Sequence, residues 1–137
     1  MDEKENMMTV LYIRAGERPV IKKIENSVEK MRSLVGGRIE YFPLGNGIAI
    51  ICNAEGKMLG LQLNRAIYDD KKDLVEIIAG DFLICSAPPD SESFKSLPKD
   101  MIEKYKERFK YPEKFTLTPE GIRVEKDKRV KSRERER

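Results

Sequence analysis

The chain has 137 residues, 39% apolar and 37% charged, which fits one domain with a small core under a heavily ionised surface. It has no histidine, so the commonest general acid–base group, the commonest metal ligand and every Ser-His or Cys-His nucleophile are absent. No apolar run reaches the length of a membrane span, and the first residues are too acidic for a signal peptide, so a cytoplasmic protein is expected.

The net charge of +3 is unevenly placed. Residues 126–137 hold seven of the 27 Lys/Arg and three of the 24 Asp/Glu, which leaves 20 bases against 21 acids in residues 1–125. The body is nearly neutral and the basicity is a tail. Cys52 and Cys85 each sit in an apolar run, where free thiols behave as small hydrophobes, and neither has a Cys or His nearby to make a metal motif.

In chain order, Met8 to Arg14 reads as a first strand, rich in β-branched and aromatic residues, and Ala15-Gly16-Glu17-Arg18-Pro19 turns it into a second at Val20 to Ile24. Asn26 as N-cap with Glu29 three residues on opens a helix whose apolar face is Val28, Met31, Leu34 and Val35; Gly36-Gly37 ends it. Arg38 to Leu44 and Ile48 to Cys52 are strands joined by Gly45-Asn46-Gly47. After the turn Ala54-Glu55-Gly56, the stretch Gly60 to Ile67 reads as irregular or one short helical turn. Leu74 to Ala79 and Asp81 to Ser86 form an apolar segment interrupted by Gly80, where a bulge or close backbone approach is expected.

A second helix begins near Ser96 and Pro98, with Met101, Ile102, Tyr105 and Phe109 on one face. Phe115 to Leu117 and Ile122 to Val124 flank the turn Thr118-Pro119-Glu120-Gly121. The expected architecture is α+β: an antiparallel β-sheet built from hairpins, with two amphipathic helices packed on it. Residues 7–125 are expected to form a single domain, and residues 126–137 a charged tail that is disordered or a frayed helix.

Candidate sites are few. Asn53, Asn64 and Arg65 combine amide donors and acceptors with a planar guanidinium fork, a set that suits a small anionic ligand, a nucleotide or a peptide terminus. The commoner use of such residues is structural: Asn53 closing a turn, Asn64 capping an irregular segment, Arg65 covering a sheet edge. Asp69, Asp70, Asp73 and Asp81 fit no calcium loop and read as a solvated charged loop. The glycine pairs match no phosphate-binding fingerprint and are turns. Lys128, Arg129, Lys131 and Arg133 of the tail are candidates for nucleic-acid contact through phosphates, diluted by Glu134 and Glu136. Tyr12, Tyr41, Phe42, Tyr105 and Phe109 could stack on bases, but their place on amphipathic elements favours packing.

Val35-Gly36-Gly37-Arg38-Ile39-Glu40, Pro43-Leu44, Ile51-Cys52-Asn53-Ala54-Glu55-Gly56-Lys57, Leu61-Gln62-Leu63-Asn64-Arg65 and Ile78-Ala79-Gly80-Asp81-Phe82 together carry a resemblance. In order and spacing they resemble an uncharacterised domain-of-unknown-function family of phages and mobile elements (domain of unknown function 3846), over roughly residues 9–115. The family pattern often has Pro where Gln62 or Leu63 stands. Its motif positions fall on Asn53, Gly56, Lys57, Asn64, Arg65 and Gly80.

The resemblance implies an accessory factor for host takeover or counter-defence, working in the host cytoplasm. The expectation is therefore a non-catalytic binding protein without cofactor or metal. Asn53, Lys57, Asn64 and Arg65 face a host protein or a small anionic or nucleotide ligand. Nucleic-acid binding through the basic tail is the alternative, and homodimerisation through exposed strand edges is open.

Overall fold

The computed structural model describes residues 6–130. Its elements are β1 (Met7–Ile13), β2 (Val20–Glu25), α1 (Val28–Val35), β3 (Ile39–Gly45), β4 (Ile48–Asn53), β5 (Leu63–Tyr68), β6 (Leu74–Ala79), β7 (Phe82–Ser86), α2 (Lys99–Arg108), β8 (Glu113–Thr118) and β9 (Gly121–Lys126). A five-stranded sheet has the order β2-β1-β7-β4-β3; β5 pairs with β6, and β8 with β9. Every pairing is antiparallel, so the class is α+β.

The central strands are covered on both faces, and this explains why β4 and β7 read as unbroken apolar runs instead of alternating patterns. Toward one face point Leu11, Ile13, Ile50, Phe82 and Ile84, packed against Tyr105 and Phe109 at α2 and against Ile67 and Ile78 of the small sheet. Toward the other point Val10, Tyr12, Ile51, Leu83 and Cys85, beside Met31 of α1. Burying each of these large side chains contributes about 1.5–3 kcal/mol, which makes the two-sided sheet the main source of stability. Phe82 meets Phe109 edge-on with ring centres 6.0 Å apart.

The structure moves the start of α1. Ser27, not Asn26, is the N-cap, and its Oγ accepts from Lys30 N at 3.1 Å. The Asn26 side chain is directed elsewhere, its Nδ2 donating to Phe94 O at 2.9 Å. The stretch expected to be irregular contains β5. Its four consecutive residues from Asn64 to Ile67 are all buried, two of them polar, so no alternation marks the strand. Lys126, placed in the tail by its charge, is the last residue of β9. Asp127 N then donates to Pro112 O, and Arg18 Nε donates to Val130 O at 2.7 Å. Lys131 and Arg133 lie outside the described residues.

Gly80 is the joint where the chain leaves the small sheet for the centre of the large one. Its φ is +88°, and its N–H donates to Gln62 O at 2.7 Å. Both cysteines are free and buried. Among the described residues no helix is long and apolar enough to cross a membrane.

Candidate functional site

The sequence cluster separates into an interior support and an exposed cleft. Asn64 and Arg65 belong to the interior. Both are 0% exposed, and Arg65 is the largest fully buried side chain. A guanidinium has five N–H donors, and here five bonds are made, all to uncharged oxygens. Nε and Nη2 reach Phe109 O at 3.2 and 3.0 Å, Nη2 also reaches Glu17 O at 2.6 Å, and Nη1 reaches Asn64 O and Oδ1 at 3.3 and 2.8 Å.

Phe109 is the C-cap of α2, so the charge sits at the negative end of a helix dipole. Burial lowers the Arg65 pKa to about 10, with Glu113 opposing, and the group stays charged at neutral pH. Asn64 Nδ2 donates to Ile13 O and Gly80 O at 3.0 and 2.9 Å. Together the two residues fasten the end of β1, the β1–β2 loop, the β6–β7 joint and the end of α2.

Asn53 stands apart from that pair. Its Oδ1 accepts from Glu55 N at 2.8 Å, and its Nδ2 donates to Val35 O at 3.2 Å, closing the turn while holding the last turn of α1. Gly56 then lies against β6. A Cβ there would stand 2.5 Å from Ala79 O, so only glycine permits this backbone approach.

Beside that approach is an open cleft of about 300 Å³ between β4, β6 and the turn, bordered by Glu40, Phe42, Asn53, Lys57, Met58 and Glu76. Lys57 Nζ is bonded to Glu76 Oε1 across it. Burial pushes the Glu76 carboxyl up, but the bonds from Lys57 and from Ile77 N outweigh it, and the net pKa falls. Glu40 and Glu55 complete an acidic border, and beside it Met58 and Leu59 are 83% and 61% exposed.

Cys52 also borders the cleft, with its thiol pushed up to about 11 by burial first and the Glu40 and Glu76 charges next, so it is a poor nucleophile. Among the described residues no three His, Cys, Asp or Glu side chains converge to hold a metal ion. Asp69 accepts from Lys71 N and Asp73 N, and Asp81 accepts from Ala15 N, so these carboxylates serve the backbone. A second depression of about 400 Å³ is bordered by Tyr12, Gln62 and Asp81, but Tyr12 Oη is committed to Leu34 O at 2.7 Å.

Of the residues singled out by sequence, Lys57 reaches the cleft border by its charged end, and Asn64 and Arg65 lie beneath the surface. Sequence reasoning missed Glu76 and Glu113, because their partners Lys57 and Ala66 are 19 and 47 residues away.

No curated protein and no solved structure matches the chain. Residues 8–110 match the family described as "Domain of unknown function (DUF3846)", and with most of its length covered the chain belongs to that family.

Proposed function

We propose that the protein is a non-catalytic binding protein, a phage or mobile-element accessory factor that engages a host protein through the cleft beside Lys57. The observation that carries this reading is the exposure of Met58 and Leu59 next to a border of three glutamates, with the Lys57 ammonium already bonded to Glu76. Exposed apolar side chains beside a border where carboxylates outnumber cations suit a protein segment carrying apolar and basic residues. An anionic nucleotide would find Lys57 already engaged by Glu76 and Glu40 on the same border, and Arg65 has no free N–H to offer it.

The test pairs two measurements. Tagged protein captures a host protein that the Met58→Glu, Leu59→Glu double variant does not, and linear and cyclic nucleotides leave the melting temperature unchanged. A nucleotide that stabilises the fold strongly would overturn the reading, since saturation at 100 times Kd adds about 2.7 kcal/mol. So would a double variant that keeps the same partner.

A further inference from the structure

Tyr111 follows α2 and is a meeting point for cations from three separate segments. The Arg18 guanidinium, from the β1–β2 loop, lies 4.9 Å from the ring centre. Lys110 Nζ lies at 5.4 Å and Lys128 Nζ, from beyond β9, at 5.8 Å. Such contacts fix a cation by attraction to the ring's electron-rich face without neutralising it.

The neighbouring charges are spoken for, and these three are not. Arg14 pairs with Glu17, and Arg129 and Lys114 pair with Asp127. Among the described residues no carboxylate lies within ion-pair distance of Arg18, Lys110 or Lys128. In a body whose charges otherwise nearly cancel, this is a local excess of positive charge held on folded elements.

We infer that Arg18, Lys110 and Lys128 around Tyr111 form a contact surface for the phosphate backbone of nucleic acid. The two longest ring distances limit the separation of any two charges to about 11 Å, over which a duplex presents about six phosphates at one per ~1.7 Å of axis. The Arg18 fork suits a phosphate in two-point contact, while the lysines act as point charges. Arg18 Nε also holds Val130 O, so the chain passes from this surface into a sequence with Lys131, Arg133, Arg135 and Arg137. An anionic membrane fits less well, because none of the large exposed apolar side chains belongs to the patch. The patch shares no residue with the cleft border, so the two surfaces can serve different partners.

The experiment is fluorescence anisotropy of the full chain with labelled single- and double-stranded oligonucleotides of roughly 20 nucleotides, titrated at several salt concentrations. Binding is expected to weaken steeply with salt. The Lys110→Ala, Lys128→Ala variant should bind at least about tenfold more weakly at low salt, with a log–log salt slope shallower by about 1.4–1.8. Circular dichroism checks that it is folded. A full-length variant with Lys131, Arg133, Arg135 and Arg137 all changed to Ala should retain binding that still responds to the Lys110 and Lys128 changes. Unchanged affinity and slope in the double lysine variant would overturn the inference. So would binding to phosphatidylserine vesicles with none to oligonucleotides.

Discussion

Arg65 Nη1 donates to Asn64 Oδ1 at 2.8 Å, and the Asn64 amide that receives it is itself fixed on Ile13 O and Gly80 O. The guanidinium is thus oriented by a neighbour that cannot turn without releasing two backbone carbonyls. The two residues work as one support, and its loss should be felt in folding before it is felt in binding.

Arg65→Ala should destabilise the protein by about 3 kcal/mol or more, since each buried acceptor that loses its donor costs about 1–3 kcal/mol. It removes the guanidinium donors that reach the Phe109 and Glu17 carbonyls. Arg65→Lys keeps the charge but offers three donors in another geometry, and should cost about 2 kcal/mol or more. Urea denaturation measures both, and wild-type stability in Arg65→Ala would refute the support role.

Gly56→Ala should cost at least about 1–3 kcal/mol, because its Cβ would meet Ala79 O, a backbone atom that cannot rotate away. Glycine is also needed there to keep the turn close to β6. Thermal melts provide the comparison, with Gly47→Asn, where an added Cβ meets nothing within 4 Å, as a control for backbone preference alone.

Both thiols should resist labelling in the native state. Cys52 is pushed up to about 11 by burial and nearby carboxylates, and Cys85 to about 12 by burial alone. At pH 8 a pKa of 11 leaves about one thiolate in a thousand, before burial slows access further. A disulfide reagent should therefore react slowly with folded protein and promptly with two thiols after urea is added. Fast native labelling of Cys52 would contradict the packing described.

Lys57→Ala should change stability by less than about 1 kcal/mol, since its side chain is well exposed to solvent and that of Glu76 is about a third exposed. The Glu76 carboxyl is held below its ordinary value of 4.5, so its contribution is complete above that value and fades as pH falls below it. Melting curves of wild type and Glu76→Gln should therefore converge in acid and separate towards neutrality.

Glu113 runs the other way. Burial raises its carboxyl above 4.5, against the pull of the Ala66 N–H, Arg65 and Lys126. The folded state then binds the proton more tightly than the unfolded chain. This group's contribution therefore falls as pH rises from 4.5 through the folded value. Glu113→Gln keeps an acceptor for Ala66 N and should flatten that decline, as read from melting temperatures between about pH 4.5 and 7.

Much of this was legible because local chemistry decided it. The apolar runs of β4 and β7, the β-branched and aromatic run of β1 and the Gly36 helix end announce themselves within a few residues. The strand β5 did not, because two of its four buried residues are Asn64 and Arg65, whose burial depends on carbonyls at Ile13, Glu17, Gly80 and Phe109. The same distance effect hid the cleft. Lys57 stands out in the sequence as a motif position, but the glutamate that engages it arrives from β6, and Gly56 and Ala79, both on the cleft border, meet only in the fold.

Glu113 Oε1 accepts from Ala66 N at 2.8 Å, yet Glu113 lies beyond residue 110, where the family match ends. The length shared with the family is therefore shorter than the length that must fold together. A piece ending at residue 110 would bare the outer rim of β5, offering an unpaired amide to the next copy. In the whole chain, the β8–β9 ribbon guards that rim, so strand-to-strand self-association would have to find another one.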